Sequence, residues 1–113
     1  MNIQIFGTKK STDTRKAERF FKERGIRFQY VDLNEKGLSK GELTSVIQAV
    51  GGLDMLIDEK AKDQATLTLI RYLAEEDRFA KLLENQQILK QPVVRNGKQA
   101  TVGYCPEVWK KWE

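Results

Sequence analysis

The chain opens with a period-two pattern that gives way to a helical one. In residues 2–7, "NIQIFG", Ile3 and Ile5 lie on one side of the chain, which is typical of a β-strand with one buried face. The apolar residues that follow recur at helical spacing, and Ser11 or Thr12 is placed to cap the start of a helix. The sequence therefore predicts a strand, a polar loop and an amphipathic helix.

Gly25 marks the end of this helix, because glycine adopts the left-handed conformation that commonly follows a helix C-terminus. The residues expected on the buried face of the helix are Ala17, Phe20 and Phe21. Residues 26–33, "IRFQYVDL", alternate again and predict a second strand. A strand, helix and strand in this order predict a right-handed βαβ unit with parallel strands.

Helical periodicity continues through the middle of the chain, about residues 39–87. Ser39 precedes a helix that is expected to close at Gly51-Gly52. The apolar residues at helical spacing in this region are Leu43, Val46, Ile47, Val50, Leu67, Ile70, Leu73, Phe79, Leu82 and Leu83. We expect a helical insertion without a linker or a repeat.

The last part of the chain predicts a hairpin and a helix. Residues 92–104 form two short extended runs around Asn96-Gly97, a strong hairpin signal. Pro106 suits the first position of a final helix, in which Trp109 and Trp112 are expected to be one core anchor and one partly exposed cover. The order of elements predicts an α/β fold with a mixed sheet.

Composition narrows the class of protein. At 113 residues, with 40% hydrophobic and 32% charged residues, the chain fits about one globular domain. The apolar runs are too short to span a bilayer, and "MNIQIFG" does not resemble a secretory signal. We therefore expect a cytoplasmic protein.

The chain contains no histidine and a single cysteine, Cys105. It cannot by itself build a Ser-His-Asp triad, a Cys-His pair, a histidine-ligated metal site or an internal disulfide. We expect no metal site. Any chemistry must use Cys105, carboxylates, lysines or hydroxyls.

Positive charge is concentrated in residues 9–27, which hold eight basic and three acidic residues, a net +5 that exceeds the +4 of the whole chain. Such a face can attract an anion, nucleic acid or an acidic protein surface, or can be a solvated face with ion pairs such as Glu18–Lys22. Phe20 and Phe21 are needed for the core, so the basic face lacks interleaved aromatic residues. This argues against direct nucleic-acid binding.

Four segments, in order, resemble the arsenate reductase (ArsC)/Spx family: "IFGTKKSTDTRKA", "FFKERGIRFQYVDL", "ILKQPVV" and "VGYCPEVWKKW". The resemblance implies one domain over residues 1–113, with a thioredoxin-like fold and a mixed four-stranded sheet. Its core would span about residues 1–34 and 88–113, interrupted by the helical insertion. It also implies a cis peptide bond before Pro92, which would pack against Ser11.

By this resemblance, Ser11 stands where the family places its redox cysteine, and Thr14 where two-cysteine regulators place the second. A cysteine at a helix N-terminus can be largely thiolate at neutral pH, whereas a serine needs a general base to act as a nucleophile. The sequence therefore predicts that the thiol redox site at residue 11 has been lost. We expect Ser11 to be a helix N-cap instead.

The family's three oxyanion-binding arginines would fall near "LIDEKAK", at Gln91 and near Cys105-Pro106, and none is an arginine here. Lys60 can supply charge but lacks the bidentate guanidinium. The candidate anion-binding residues are Lys9, Lys10, Ser11, Arg15 and Lys60. They predict a site that could still hold a small oxyanion at the start of the first helix.

Two functions follow as hypotheses. The favoured one is a non-catalytic family member that acts through protein contacts, with an RNA polymerase subunit as the candidate partner and with no cofactor. The alternative is an arsenate reductase-like or glutathione-linked thiol oxidoreductase that uses Cys105. Between these, we expect Cys105 to be an inert, buried thiol.

Overall fold

A computed structural model describes residues 1–112. Its strands are β1 (Ile3–Gly7), β2 (Phe28–Asp32), β3 (Val93–Asn96) and β4 (Gln99–Val102). Its helices are α1 (Thr12–Glu23), α2 (Lys40–Val50), α3 (Gln64–Arg71), α4 (Glu75–Glu84) and α5 (Pro106–Lys110), with 3-10 turns at Leu53–Leu56 and Gln86–Ile88. None of the helices in residues 1–112 is long and apolar enough to cross a membrane.

The strands form one mixed sheet in the order β2-β1-β3-β4. β1 and β2 are parallel, whereas β3 is antiparallel to both β1 and β4. The hairpin turn lies one residue later than the Asn96-Gly97 pair suggested, because Asn96 still pairs with Gln99 and the turn consists of Gly97 and Lys98. Gly97 has a φ of 61°, which glycine adopts without strain.

The two faces of the sheet carry different cores. One face packs against α1 and α5 and is rich in aromatic rings; its buried residues are Ile3, Ile5, Ala17, Phe20, Phe21, Val94 and Trp109. The other face packs against α2–α4 and is mostly aliphatic, with Leu43, Val46, Leu67, Ile70 and Leu82 among its buried residues. Trp109 is fully buried and Trp112 is partly buried, which confirms the prediction of one core anchor and one partly exposed cover.

The helix ends follow local sequence signals. Ser39 forms a capping box with Glu42 at the start of α2, and Gly51 ends that helix at a φ of 93°. Gly25 follows α1 at a φ of 66°, and its N–H donates to the Lys22 carbonyl. These caps fix the directions in which α1 and α2 leave the sheet.

Candidate functional site

The loop between β1 and α1 holds the candidate site, and Ser11 is its central residue. Ser11 is the N-cap of α1: its Oγ accepts a hydrogen bond of 3.1 Å from the backbone N–H of Thr14. The Ser11 N–H donates to the Thr8 carbonyl at 3.1 Å, which closes the loop as a tight turn. The hydroxyl oxygen therefore satisfies one of the free N–H groups of the first helical turn.

Gln91 ties this loop to the start of β3. Its Oε1 accepts hydrogen bonds from the Thr8 N–H at 2.8 Å and from the Thr8 Oγ1 at 3.0 Å. The peptide bond between Gln91 and Pro92 is cis, the geometry that the family resemblance implied. Gln91, which the resemblance places at an arginine position, is the side chain that connects the proline segment to the loop.

Thr14 faces the sheet rather than the cavity beside Ser11. It is fully buried, and its Oγ1 lies 3.5 Å from the Gln91 Oε1. A Cβ at Gly7 would lie 2.7 Å from the Thr14 Cγ2, so glycine is required at the end of β1. Thr14, which the resemblance places at the second cysteine position, thus packs α1 onto β1.

Two of the candidate anion-binding cations are engaged elsewhere. The Lys9 Nζ lies 2.9 Å from both carboxylate oxygens of Glu18 and 4.2 Å from the centre of the Tyr30 ring. The Arg15 guanidinium donates to the Lys9 carbonyl at 2.6 Å. Both cations stabilise the loop. Burial, helped by the nearby carboxylates of Asp32 and Glu18, raises the pKa of Tyr30.

Two cavities of about 710 and 610 Å³ open beside Ser11. Both are lined by Ser11, Lys62, Gln87 and Gln91. Lys10 adds a cation to the larger cavity and Lys60 to the smaller one, whereas Lys9 and Arg15 line neither. The small-oxyanion prediction therefore rests on Lys10, Lys60 and Lys62.

Lys62 is the residue of this site that sequence reasoning missed. It lies in the same "LIDEKAK" window as Lys60, and nothing in the window by itself indicates which lysine faces the loop. The smaller cavity also contains carboxylates, those of Asp13, Asp58 and Asp63. Hydrogen bonds from the Thr66 and Gln87 side chains lower the pKa of Asp63, which caps α3. Its negative charge opposes that of a bound anion.

Cys105 lies apart from these cavities. It precedes α5, lines neither cavity beside Ser11, and packs against the aromatic core of the α1 and α5 face. Its Sγ donates to the Val102 carbonyl at 3.4 Å. Burial raises the pKa of its thiol, so the thiolate fraction at neutral pH is below that of a free cysteine.

The sheet order, with α1 and α5 on one face and α2–α4 on the other, defines a protein of the thioredoxin-like α/β class. The sequence matches the ArsC family over residues 6–112, and the chain belongs to this family. Global transcriptional regulator Spx 2 from Oceanobacillus iheyensis is 29% identical over 106 residues, which cover 92% of this chain and 78% of the regulator.

Solved structures share the fold. An ArsC family related protein from Bacteroides fragilis superimposes with a TM-score of 0.84 at 22% identity, covering all of both chains. An arsenate reductase from Vibrio cholerae gives a TM-score of 0.83 at 24% identity, covering 98% of this chain and 97% of the reductase. At these identities the two structures establish a common architecture and leave the activity of this chain open.

Proposed function

We propose that this protein is an ArsC family member that has lost the thiol redox site and acts by contacting other proteins, with the transcription machinery as the candidate partner. The observation that carries the proposal is the role of Ser11. Its oxygen caps α1 at the position that the family resemblance assigns to the redox cysteine. An oxygen cannot cycle through a disulfide or accept a thiol in exchange.

The surroundings of Ser11 give little support for a different nucleophilic reaction. The chain has no histidine to serve as a general base. Asp63, in the smaller cavity, is held by three hydrogen bonds and has a lowered pKa, which makes it a weak base. A capping hydroxyl without a strong base beside it stabilises the helix rather than attacking a substrate.

The alternative that uses Cys105 requires a reactive thiol near an anion or glutathione site. Cys105 is half-buried and lies outside both cavities beside Ser11, and its thiol donates a hydrogen bond to the Val102 carbonyl. Its raised pKa also lowers the fraction of thiolate, which is the reactive form. These features support the assignment of Cys105 as a structural residue.

The choice of partner rests on the regulator Spx 2, which is described as a global transcriptional regulator. A protein that shares 29% of its residues with a transcriptional regulator, and that lacks a thiol at the start of α1, fits a role in regulation by binding. Among transcription proteins, the family resemblance favours a subunit of RNA polymerase, and we propose it as the partner.

Two measurements test the proposal together. Arsenate turnover with glutathione and glutaredoxin is expected to be absent for the wild type and for Cys105→Ser. RNA polymerase immobilised on resin is expected to retain the wild-type chain, with bovine serum albumin resin as the control. Arsenate turnover that disappears in Cys105→Ser would contradict the loss of redox chemistry. Retention of the chain on polymerase resin no greater than on the albumin resin would contradict the partner.

A further inference from the structure

A groove between α1 and the segment Tyr104–Lys110 lies outside the cavities beside Ser11 and shares no lining residue with them. Its volume is about 470 Å³. We define the basic groove by six of its lining residues, Lys16, Arg19, Phe20, Arg24, Tyr104 and Lys110. Three of the eight basic residues in residues 9–27, Lys16, Arg19 and Arg24, line the groove.

Aromatic rings held by the core form the apolar part of the basic groove. Phe20 is 5% exposed, and its ring centre lies 5.2 Å from that of Trp109 in an edge-to-face arrangement. Tyr104 is 43% exposed, with its ring 5.6 Å from Trp109. Because Trp109 is fully buried, Tyr104 presents an accessible ring on a fixed support. Such pre-ordered tyrosines are common anchors of protein interfaces.

Cations outnumber carboxylates along the walls of the groove. The guanidinium of Arg24 stacks 3.7 Å from the centre of the Phe20 ring and donates to the Phe20 carbonyl at 3.3 Å. The Lys16 Nζ lies 5.5 Å from the centre of the Tyr104 ring. Within residues 1–112, two carboxylates line the groove: Glu107 is paired with Lys110 at 3.2 Å, and Glu23 is the other.

We propose that the basic groove binds an acidic segment of a partner protein, with its carboxylates facing Lys16, Arg19 and Arg24 and with an apolar side chain resting on Tyr104. This inference rests on the proposed function, in which the protein acts through protein contacts. Charge complementarity selects an acidic ligand, and the exposed aromatic ring selects one with an apolar residue among the carboxylates.

A protein segment fits the groove better than nucleic acid does. Glu23 and Glu107 would face the evenly spaced phosphates of a bound strand. A single exposed ring also offers no succession of stacking platforms for bases. An acidic peptide can place a neutral or apolar residue opposite each glutamate.

The test is fluorescence anisotropy with the full chain and a labelled peptide of glutamates around one central tryptophan and one leucine. A peptide with lysine for glutamate and a labelled DNA duplex are the comparison probes. The groove variant Lys16→Glu/Arg19→Glu is compared with Lys22→Glu/Arg27→Glu, which changes the net charge equally at exposed residues outside the groove. Tyr104→Ala is compared with Tyr72→Ala, because Tyr72 is exposed on the other side of the sheet, after α3.

We expect the acidic peptide to bind the wild type at about 0.05 M salt and to lose affinity as the salt concentration rises. The groove variant should weaken binding by about tenfold or more, and the control variant by less than about threefold. Tyr104→Ala should weaken it by about fivefold, with Tyr72→Ala near wild type. Amide resonances of α1 and the Trp109 indole N–H should shift in NMR spectra.

Four results would overturn the inference: no binding of the acidic peptide at low salt, equal losses in the groove and control variants, tighter binding of the DNA duplex, or equal retention of the wild type and the groove variant on polymerase resin. The variants also separate it from the proposed function. If polymerase resin retains the wild type and the groove variant equally, the proposed binding role of the groove is wrong and the proposed function stands. If polymerase does not bind but the peptide binds in the groove, the proposed partner is wrong and the groove stands.

Discussion

The starts of α1 and α5 can be compared directly, because each helix has a potentially nucleophilic residue at its N-cap position. Ser11 opens the twelve-residue helix α1, accepts a capping hydrogen bond and lines two cavities. Cys105 opens the five-residue helix α5, makes no capping hydrogen bond and points its thiol at the Val102 carbonyl. The residue that lines the two cavities carries an oxygen, whereas the sulfur lies outside both of them.

This contrast shows that the reactivity of a side chain depends both on its nucleophilic atom and on the groups that surround that atom. A sulfur at the start of α1 would meet free N–H groups and a helix dipole, both of which favour the thiolate. The sulfur of Cys105 instead meets a carbonyl and apolar rings, and burial raises its pKa.

Moving the sulfur between the two helix starts should give the largest change. In Ser11→Cys/Cys105→Ser, the new thiol should be alkylated by iodoacetamide at pH 7 about a hundredfold faster than Cys105 of the wild type, because the start of α1 lowers a thiol pKa and the site is open. Mass spectrometry of timed samples measures both rates. Equal alkylation rates in the two proteins would mean that the start of α1 does not lower the pKa of a thiol.

Crowding the contact between β1 and α1 should destabilise the fold. Gly7→Ala places a Cβ 2.7 Å from the Thr14 Cγ2 and should lower the free energy of unfolding by about 2–3 kcal/mol. Urea denaturation measures this. The double variant Gly7→Ala/Thr14→Ala should recover a large part of the loss. Gly41→Ala, in α2 with no atom within 4 Å of the added Cβ, is the matched control and should not destabilise.

Removing the cap of α1 should have a moderate effect. Ser11→Ala should cost about 1 kcal/mol of stability, because the Thr14 N–H loses its acceptor, whereas Ser11→Gly should cost only about a few tenths. Thermal or urea unfolding of the three proteins gives the order. If neither Ser11→Ala nor Ser11→Gly lowers the free energy of unfolding, the Ser11 hydroxyl does not stabilise the helix.

The pH dependence of Cys105 should be the smallest effect. Its pKa is raised by burial, so alkylation should still increase with pH above the ordinary cysteine value of about 8.5. In the folded chain the thiol keeps its proton at a pH where the unfolded chain loses it. Stability should therefore fall slightly as the pH rises from the unfolded to the folded pKa. Alkylation that levels off at the ordinary pKa, as in urea, would show that burial does not shift the thiol.

Local patterns predicted most of the fold, because the relevant interactions act within a few residues. The cap at Ser11, the left-handed Gly25 and the inward face of α1 are set by sequence separations of three or four. The hairpin turn is the instructive exception. The Asn96-Gly97 pair signals a turn, but the pairing of Asn96 with Gln99 sets its position one residue later.

The candidate site was less predictable because its contacts span long separations. Gln91 reaches Thr8 across 83 residues, and Lys62 arrives from the helical insertion. Lys9 carries the same charge as Lys10, yet it is bound by Glu18 and Tyr30. Which lysine faces a cavity depends on how α1, β2 and the insertion pack around the loop.

The amino-acid sequence alone shows the available functional groups: no histidine, one thiol, and a hydroxyl at the start of the first helix. It also determined the order of the strands and helices, because hydrophobic period and capping are local properties. The separation of Cys105 from the Ser11 cavities and the basic groove beside α5 become visible only in the folded chain. Distances between remote residues are set by how the helices pack on the sheet, which no short pattern encodes.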